Sequence, residues 1–276
     1  MLAFAGNSIL CRLALAEGSI DAGGFTLVRL VSGAFTLAVL TLAMHSRASY
    51  SPTNWKKSDI VGAVMLFGYA AAFSFSYVKI ATGTGALILF ASVQFSMIGF
   101  HIFSGNKMHL MEWSGLGVSL IGFGYLLIPN ATRPDLFAAA LMAIAGISWA
   151  AFTILGKRSS ERPAILTMSI SFLLASMLAV LMGGIFSISM EIESMTARGI
   201  LLAVLSGSVA SGIGYAIWYA VLPKLSILRA SVVQLSVPAL ASLGGWLVLS
   251  EAITVSTGIS TLLILGGIAL VFTARK

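Results

Sequence analysis

Charge is what this chain has least of. Only 9% of its residues are Asp, Glu, Lys or Arg, where a soluble domain carries about 25%, and 58% are hydrophobic. A water-soluble fold cannot dispose of that much apolar surface, so a soluble body is excluded. Carboxylates are missing altogether from the middle of the apolar runs, which disfavours an antiporter that exchanges protons for lipophilic cations. A single cysteine, Cys11, leaves no internal disulfide, and in its apolar setting it reads as a small packing residue. Of six prolines, only Pro238 falls well inside an apolar run, where it frees a backbone carbonyl and kinks the rod, making it a candidate hinge. The P-loop pattern is absent because Ala151 stands where the first Gly before Gly156-Lys157 would be, so ATP is not expected to drive anything here. His45, His101 and His109 gather towards one face without carboxylate neighbours, a poor metal site and no basis for an intramembrane Ser/His hydrolase. No cofactor, no metal and no enzymatic activity are expected.

What is present is apolar length. Runs divided by polar or Pro/Gly punctuation predict ten helices, at about 1–16, 25–44, 59–78, 84–103, 112–128, 136–156, 164–186, 199–222, 228–249 and 255–273. Most approach the ~20 residues that cross a bilayer. The first rises only about 24 Å against ~30 Å of hydrocarbon, so further residues upstream of Met1 are expected. The excess of Lys and Arg, 16 against 9 Asp and Glu, fits the cytoplasmic bias of basic residues in membrane proteins better than a nucleic-acid partner. With the amino terminus in the cytoplasm, Arg47, Lys56, Lys57, Lys107, Lys157, Arg158, Arg162, Lys224, Arg229, Arg275 and Lys276 fall inside. Only Lys79, Arg133 and Arg198 fall outside. Both termini are therefore expected in the cytoplasm.

Residues 1–128 and 129–276 repeat one another weakly. "ASVQFS" (91–96) matches "SVVQLS" (231–236), and "FSY" ending at Tyr77 matches "IWY" ending at Tyr219. Because five is odd, the second copy must cross the membrane in the opposite sense, giving the inverted pseudo-symmetry of secondary transporters. The expected fold is thus an all-α membrane protein of ten transmembrane helices in two inverted five-helix repeats. "FTLVRLVSG", with Arg29, and "LRASVVQLSVPALASLGGWLVLSEAITVSTGISTLLILGGIAL", with Pro238 and Glu251, carry a resemblance over essentially the whole chain. They are similar to the drug/metabolite transporter superfamily, in its ten-helix branch with two EamA-type repeats. The first copy departs from the pattern, with Met97 or Ile98 near the Pro position and Asn106 where the Glu is expected.

The resemblance implies alternating access around a central cavity lined by the first, third, fourth, sixth, eighth and ninth helices. Amino acids and related metabolites are common cargoes in that family, and the neutral, aromatic-rich inventory leans towards neutral or aromatic amino acids, moved downhill by facilitated efflux. Proton coupling through His101, another cargo such as a purine, sugar, nucleotide sugar or drug, and a receptor or assembly role without transport are the alternatives. Intramembrane polar groups are functional candidates because leaving them unpaired in lipid is costly. Gln94 and Gln234, at equivalent positions of the repeats, would offer amides to a polar solute, or else glue neighbouring helices together. Tyr215, Trp218 and Tyr219 share one helical face, and Tyr77, Trp149 and the amide of Asn7 complete the candidate substrate-binding set. Interfacial anchoring is the plainer role for Tyr77 and Tyr219 near helix ends. Arg12 and Arg29 could bind a carboxylate, but snorkelling, with Glu17 or lipid headgroups as partner, is the expected role. Gly115, Gly122, Gly258 and Gly266 are expected to let helices approach closely. The partners implied are a small-molecule substrate and the lipid bilayer of the inner membrane, and a chain that carries both halves is expected to work as a monomer.

Overall fold

A computed structural model describes residues 1–44, 56–105, 107–127, 135–158, 163–185, 195–253 and 255–273. Every regular element among these described residues is helical, as it must be where a lipid environment offers backbone groups no other partner. The elements are α1 (Leu2–Ala16), α2 (Ala22–Met44), α3 (Lys57–Tyr77), α4 (Thr82–Phe103), α5 (Leu110–Leu127), α6 (Leu136–Arg158), α7 (Ala164–Ile185), α8 (Ala197–Leu205), α9 (Gly214–Val221), α10 (Ile227–Gln234), α11 (Ser236–Leu249) and α12 (Val255–Thr273). A π-helical segment, Ser206–Ile213, joins α8 to α9 without a break, and a 3₁₀ turn, Leu222–Lys224, follows α9.

Six of these rods are long and apolar enough to cross a membrane: Ala22–Ala43, Lys57–Tyr77, Thr82–Phe103, Leu136–Lys157, Ile165–Gly183 and Ala197–Lys224. Leu2–Ala16, Ser236–Leu249 and Gly258–Gly267 are shorter apolar helices. Large apolar side chains such as Phe35, Ile144, Leu181, Ile217 and Leu262 stand exposed on the flanks of the bundle. That is the reverse of a soluble protein and suits a lipid-facing surface. Of the residues that set the expected orientation, Arg47, Arg133, Arg162, Arg275 and Lys276 lie outside the described residues, as do His45 and Asn106.

Two rods depart from the regular helices expected of them. Within 199–222 the run Ser206–Ile213 is π-helical. Its small residues let it lie against α2 so closely that a Cβ on Gly207 would stand 2.2 Å from the Arg29 carbonyl oxygen. The expected single helix 228–249 is two, α10 and α11, broken at Leu235. Pro238 lies in the first turn of α11 and has no N–H to return to the Gln234 carbonyl, and that lost bond accounts for the break. The close approach of α5 to α12 falls where expected on α5, at Gly115 and Gly122, but elsewhere on α12. It occurs at Gly122, whose Cβ would meet Leu263 at 2.7 Å, and at Gly267, whose Cβ would meet the Gly115 carbonyl oxygen at 2.4 Å. Gly258 and Gly266 face open space instead.

Candidate functional site

α1, α3, α4, α6 and α9 converge on one small cavity, walled by Phe4, Tyr69, Phe73, Leu89, Phe90, Trp149 and Tyr215. It has room for about one water molecule. The aromatic rings interlock: Phe4 meets Trp149 and Tyr215 edge to face at 5.4 Å each and Trp218 at 5.8 Å, and Trp149 lies 4.6 Å from Tyr215 and 5.0 Å from Tyr69. Such pairs resist separation by about 0.5–1.5 kcal/mol beyond their buried area.

On one side this wall is backed by a polar network centred on Arg29. The guanidinium donates from Nε to Ser211 Oγ (3.0 Å), and from Nη2 to Tyr69 Oη (3.2 Å) and Tyr215 Oη (2.8 Å). Tyr215 Oη donates to Tyr69 Oη (2.9 Å), Asn7 Nδ2 donates to Tyr69 Oη (3.2 Å), and Ser206 Oγ donates to Asn7 Oδ1 (2.6 Å). The guanidinium carbon also lies 5.1 Å and 5.0 Å from the ring centres of Tyr69 and Phe73, within cation–π range. The π segment matters here, because Ser206 and Ser211, the hydroxyls that reach α1 and α2, both belong to it. Extra-wide turns of this kind are frequent at functional sites.

Arg29 corrects the sequence reading. It is 1% exposed, so it does not snorkel. It is the eighth residue of α2, about 10 Å along the rod from its start, too deep for the head to reach the nearer helix end. Among the described residues no carboxylate pairs with it. Arg12 is likewise not paired with Glu17: its Nε faces Glu251 Oε1 at 3.5 Å, while Glu17 pairs with Arg198 at 3.1 Å.

The residues singled out from the sequence divide. Asn7, Trp149 and Tyr215 meet at the cavity or its polar backing, and Trp218 packs on Phe4 from behind. Gln234 stands one layer further out, accepting the Trp149 indole N–H at 2.6 Å and donating to the Ala230 carbonyl at 3.0 Å. Gln94 lies elsewhere, beside a second, apolar cavity shared with Leu116, Ser119, Leu235 and Ile264, where its Oε1 has no hydrogen-bond partner. Tyr77 and Tyr219 are fully buried rather than interfacial. The Tyr77 hydroxyl donates to the Thr82 carbonyl (3.2 Å) and that of Tyr219 to the Phe152 carbonyl (2.8 Å). Phe4, Arg29, Tyr69, Ser206 and Ser211 were not in that set. Arg29 stood out in its motif and as a group able to bind a carboxylate; nothing in the linear pattern set Ser206 or Ser211 apart from other small polar residues, or Phe4 and Tyr69 from other aromatics.

Residues 136–273 match the model of the EamA-like transporter family. The chain belongs to that family. It is therefore a membrane transporter of small molecules and not an enzyme. An uncharacterized protein of Pseudomonas aeruginosa is 41% identical over 275 residues, covering 100% of this chain and 92% of the relative. An uncharacterized transporter of Bacillus subtilis is 23% identical over 258 residues, covering 91% and 88%. A protein of Salmonella typhimurium named as a probable amino-acid metabolite efflux pump is 26% identical over 223 residues, covering 75% and 73%. A solved crystal structure shares the fold at a TM-score of 0.75 with 18% identity, covering 99% of this chain and 96% of the other.

In this EamA-like chain the cavity is closed towards both ends of the bundle, by different chemistry. At the end where α1, α3 and α11 finish and α4 begins, Arg12 Nη1 donates to the carbonyls of Tyr77 (2.9 Å) and Val78 (3.0 Å). There both Glu251 oxygens accept from the Thr82 amide (3.0 and 3.2 Å). Ser250, with φ 56°, turns the chain so that Glu251 folds back over Gly245, where a Cβ would stand 2.6 Å from the carboxylate. A carboxylate at the first amide of α4 is stabilised by the helix dipole, and arginine on terminal carbonyls by the opposite one. At the other end the closure is lighter: Lys157 Nζ donates to the Leu225 carbonyl, and the Tyr219 ring covers Gly156.

Proposed function

We propose that this transporter exports small neutral metabolites, foremost neutral and aromatic amino acids, across the inner membrane by alternating access, running downhill without an obligatory proton. The observation that carries the reading is the central cavity, apolar and aromatic on most sides, polar on one, and shut towards both ends. Its present size admits no solute, so loading requires one closure to open while the other holds, which is what alternation demands. The Arg12–Glu251 cluster is the outer closure and the Lys157–Leu225 contact the cytoplasmic one in an arrangement of ten spans with both termini inside. That arrangement counts α8 with α9, and α10 with α11, as one span each. Residues 1–128 and 129–276 are the two inverted repeats, the chain works as a monomer, and the break before Pro238 is the hinge. Asn7, Trp149, Tyr215 and Trp218 contact the solute or its immediate wall; Gln234 acts through Trp149; Gln94, Tyr77 and Tyr219 shape the path. The described surroundings of the cavity hold no carboxylate that could exchange a proton with a cationic cargo, and the Salmonella relative's name points towards amino acids.

The test is release of labelled phenylalanine, threonine and a nucleoside from preloaded proteoliposomes, with and without a pH gradient. Amino-acid release that ignores the gradient is expected. Release that needs the gradient would overturn the facilitative mechanism, and release of the nucleoside alone would overturn the amino-acid assignment.

A further inference from the structure

We propose that Arg29 anchors the carboxylate of the transported solute, which makes the cargo class a monocarboxylate with an apolar or aromatic body; this deepens the transport reading and rests on it. Arg29 is a fully buried cation whose partners, Ser211, Tyr69 and Tyr215, are all neutral hydroxyls. Its Nη1 has no hydrogen-bond partner at all. A guanidinium carries donors in a fork that matches a carboxylate, and one terminal nitrogen of this fork is unused. A buried charge without a counter-ion is the costly half of an ion pair, and no described side chain supplies the other half.

Place links the guanidinium to the cavity. Tyr69, Phe73 and Tyr215, three of the four side chains that meet the guanidinium, are among the seven residues that wall the cavity. Arg29 therefore stands one side chain behind the space into which a solute must open. A structural staple needs no charge: a neutral amide could bond the same three hydroxyls without the desolvation penalty. A single cation fits a single negative charge, and the aromatic walls fit what is attached to it. An α-ammonium, where the solute has one, would lie against ring faces, which attract cations.

The experiment uses the purified full chain in lipid nanodiscs and proteoliposomes, comparing phenylalanine and 3-phenylpropionate with phenylalaninamide and phenethylamine, which keep the ring and lack the carboxylate. Thermal stabilisation and competition against labelled phenylalanine are read for wild type, Arg29→Gln and Arg29→Lys. Both carboxylates are expected to bind, with the amide and amine at least about 100-fold weaker, since a site built for a polar group rejects analogues without it. Arg29→Gln is expected to lose carboxylate binding by a similar factor while melting no lower than wild type without solute, and Arg29→Lys to keep part of it. Equal binding of acid and amide, unchanged affinity in Arg29→Gln, or competition by chloride or sulfate as strong as by 3-phenylpropionate would each overturn the assignment. Failure to transport phenylalanine while 3-phenylpropionate binds through Arg29 would sink the amino-acid reading and leave the anchor standing. Were Arg29→Gln not to fold, the analogue series on wild type would decide alone.

Discussion

Trp149 and Gln234 are 85 residues apart in sequence and 2.6 Å apart in space, and their pairing sets what each can do. With its indole N–H given to Gln234, Trp149 presents its ring, not its donor, to the cavity. Trp149→Phe keeps a ring and leaves the buried Gln234 Oε1 without a donor, a cost of about 1–3 kcal/mol. A lower melting temperature in detergent is expected, with part of the loss recovered in the double variant Trp149→Phe, Gln234→Leu, which removes the stranded acceptor. If the double variant melts lower than the sum of the single losses predicts, the indole–amide bond is not what Gln234 contributes. The sequence marked both residues as polar or amphipathic groups inside a span, but helical spacing says which residues share a face of one rod and nothing of which rods touch. Hence Gln94 and Gln234, alike in their local sequence motif, end in different surroundings. Arg29 was misjudged for the same reason: distance from a helix end was legible, whereas the three hydroxyls waiting at its depth came from α3, α9 and the π segment.

At the scale of elements, apolar run length located the helices well, because nothing but helix satisfies the backbone in lipid. It could not register the two irregular rods. A π turn leaves composition unchanged; the small Ser and Gly residues clustered at 206–214 are the one feature of the sequence that accompanies it. The break between α10 and α11 was half legible: Pro238 announced it, and the lost bond to residue 234 explains why it falls three residues earlier. Pro238→Ala returns the missing N–H and favours a continuous rod. Such a change is expected to stabilise the resting protein by about 1 kcal/mol and to slow flux about tenfold, as hinge substitutions alter rates far from the solute. Single-turnover release from proteoliposomes alongside thermal melting separates the two effects; flux equal to wild type would show that the bundle opens without bending here. At the start of α6, Asp135 illustrates a smaller local device. The Ala138 amide, with Lys79 adding to it, holds its carboxyl below the usual range. The cap therefore stays charged through neutral pH and is lost only as pH falls through that lowered value.

For the whole molecule, the unequal closures set the resting preference. The Arg12–Glu251 cluster ties α1, α3, α4 and α11 together through charge-assisted bonds, each worth about 1.5–3 kcal/mol. At the opposite end the described closing contacts are those of Lys157 with the Leu225 carbonyl and of Tyr219 over Gly156. Wild type should therefore favour a shut Glu251 end when empty, and weakening that end should open it. The single cysteine makes this measurable without engineering a label: Cys11 is fully buried in α1, next in sequence to Arg12. In intact cells a membrane-impermeant maleimide should leave wild-type Cys11 nearly untouched. Glu251→Ala strips the cap from α4 and the partner from Arg12, and removing 1.5–3 kcal/mol shifts a two-state balance by roughly 10- to 150-fold, so Cys11 labelling should rise by at least about tenfold. Lys157→Met loosens the other closure and should lower Cys11 labelling below wild type, because opening one end holds the other shut. Labelling that rises in both variants would mean that each substitution merely loosens the bundle, and labelling unchanged in Glu251→Ala would mean that the aromatic interlock around Phe4, not the charged cluster, keeps that end closed.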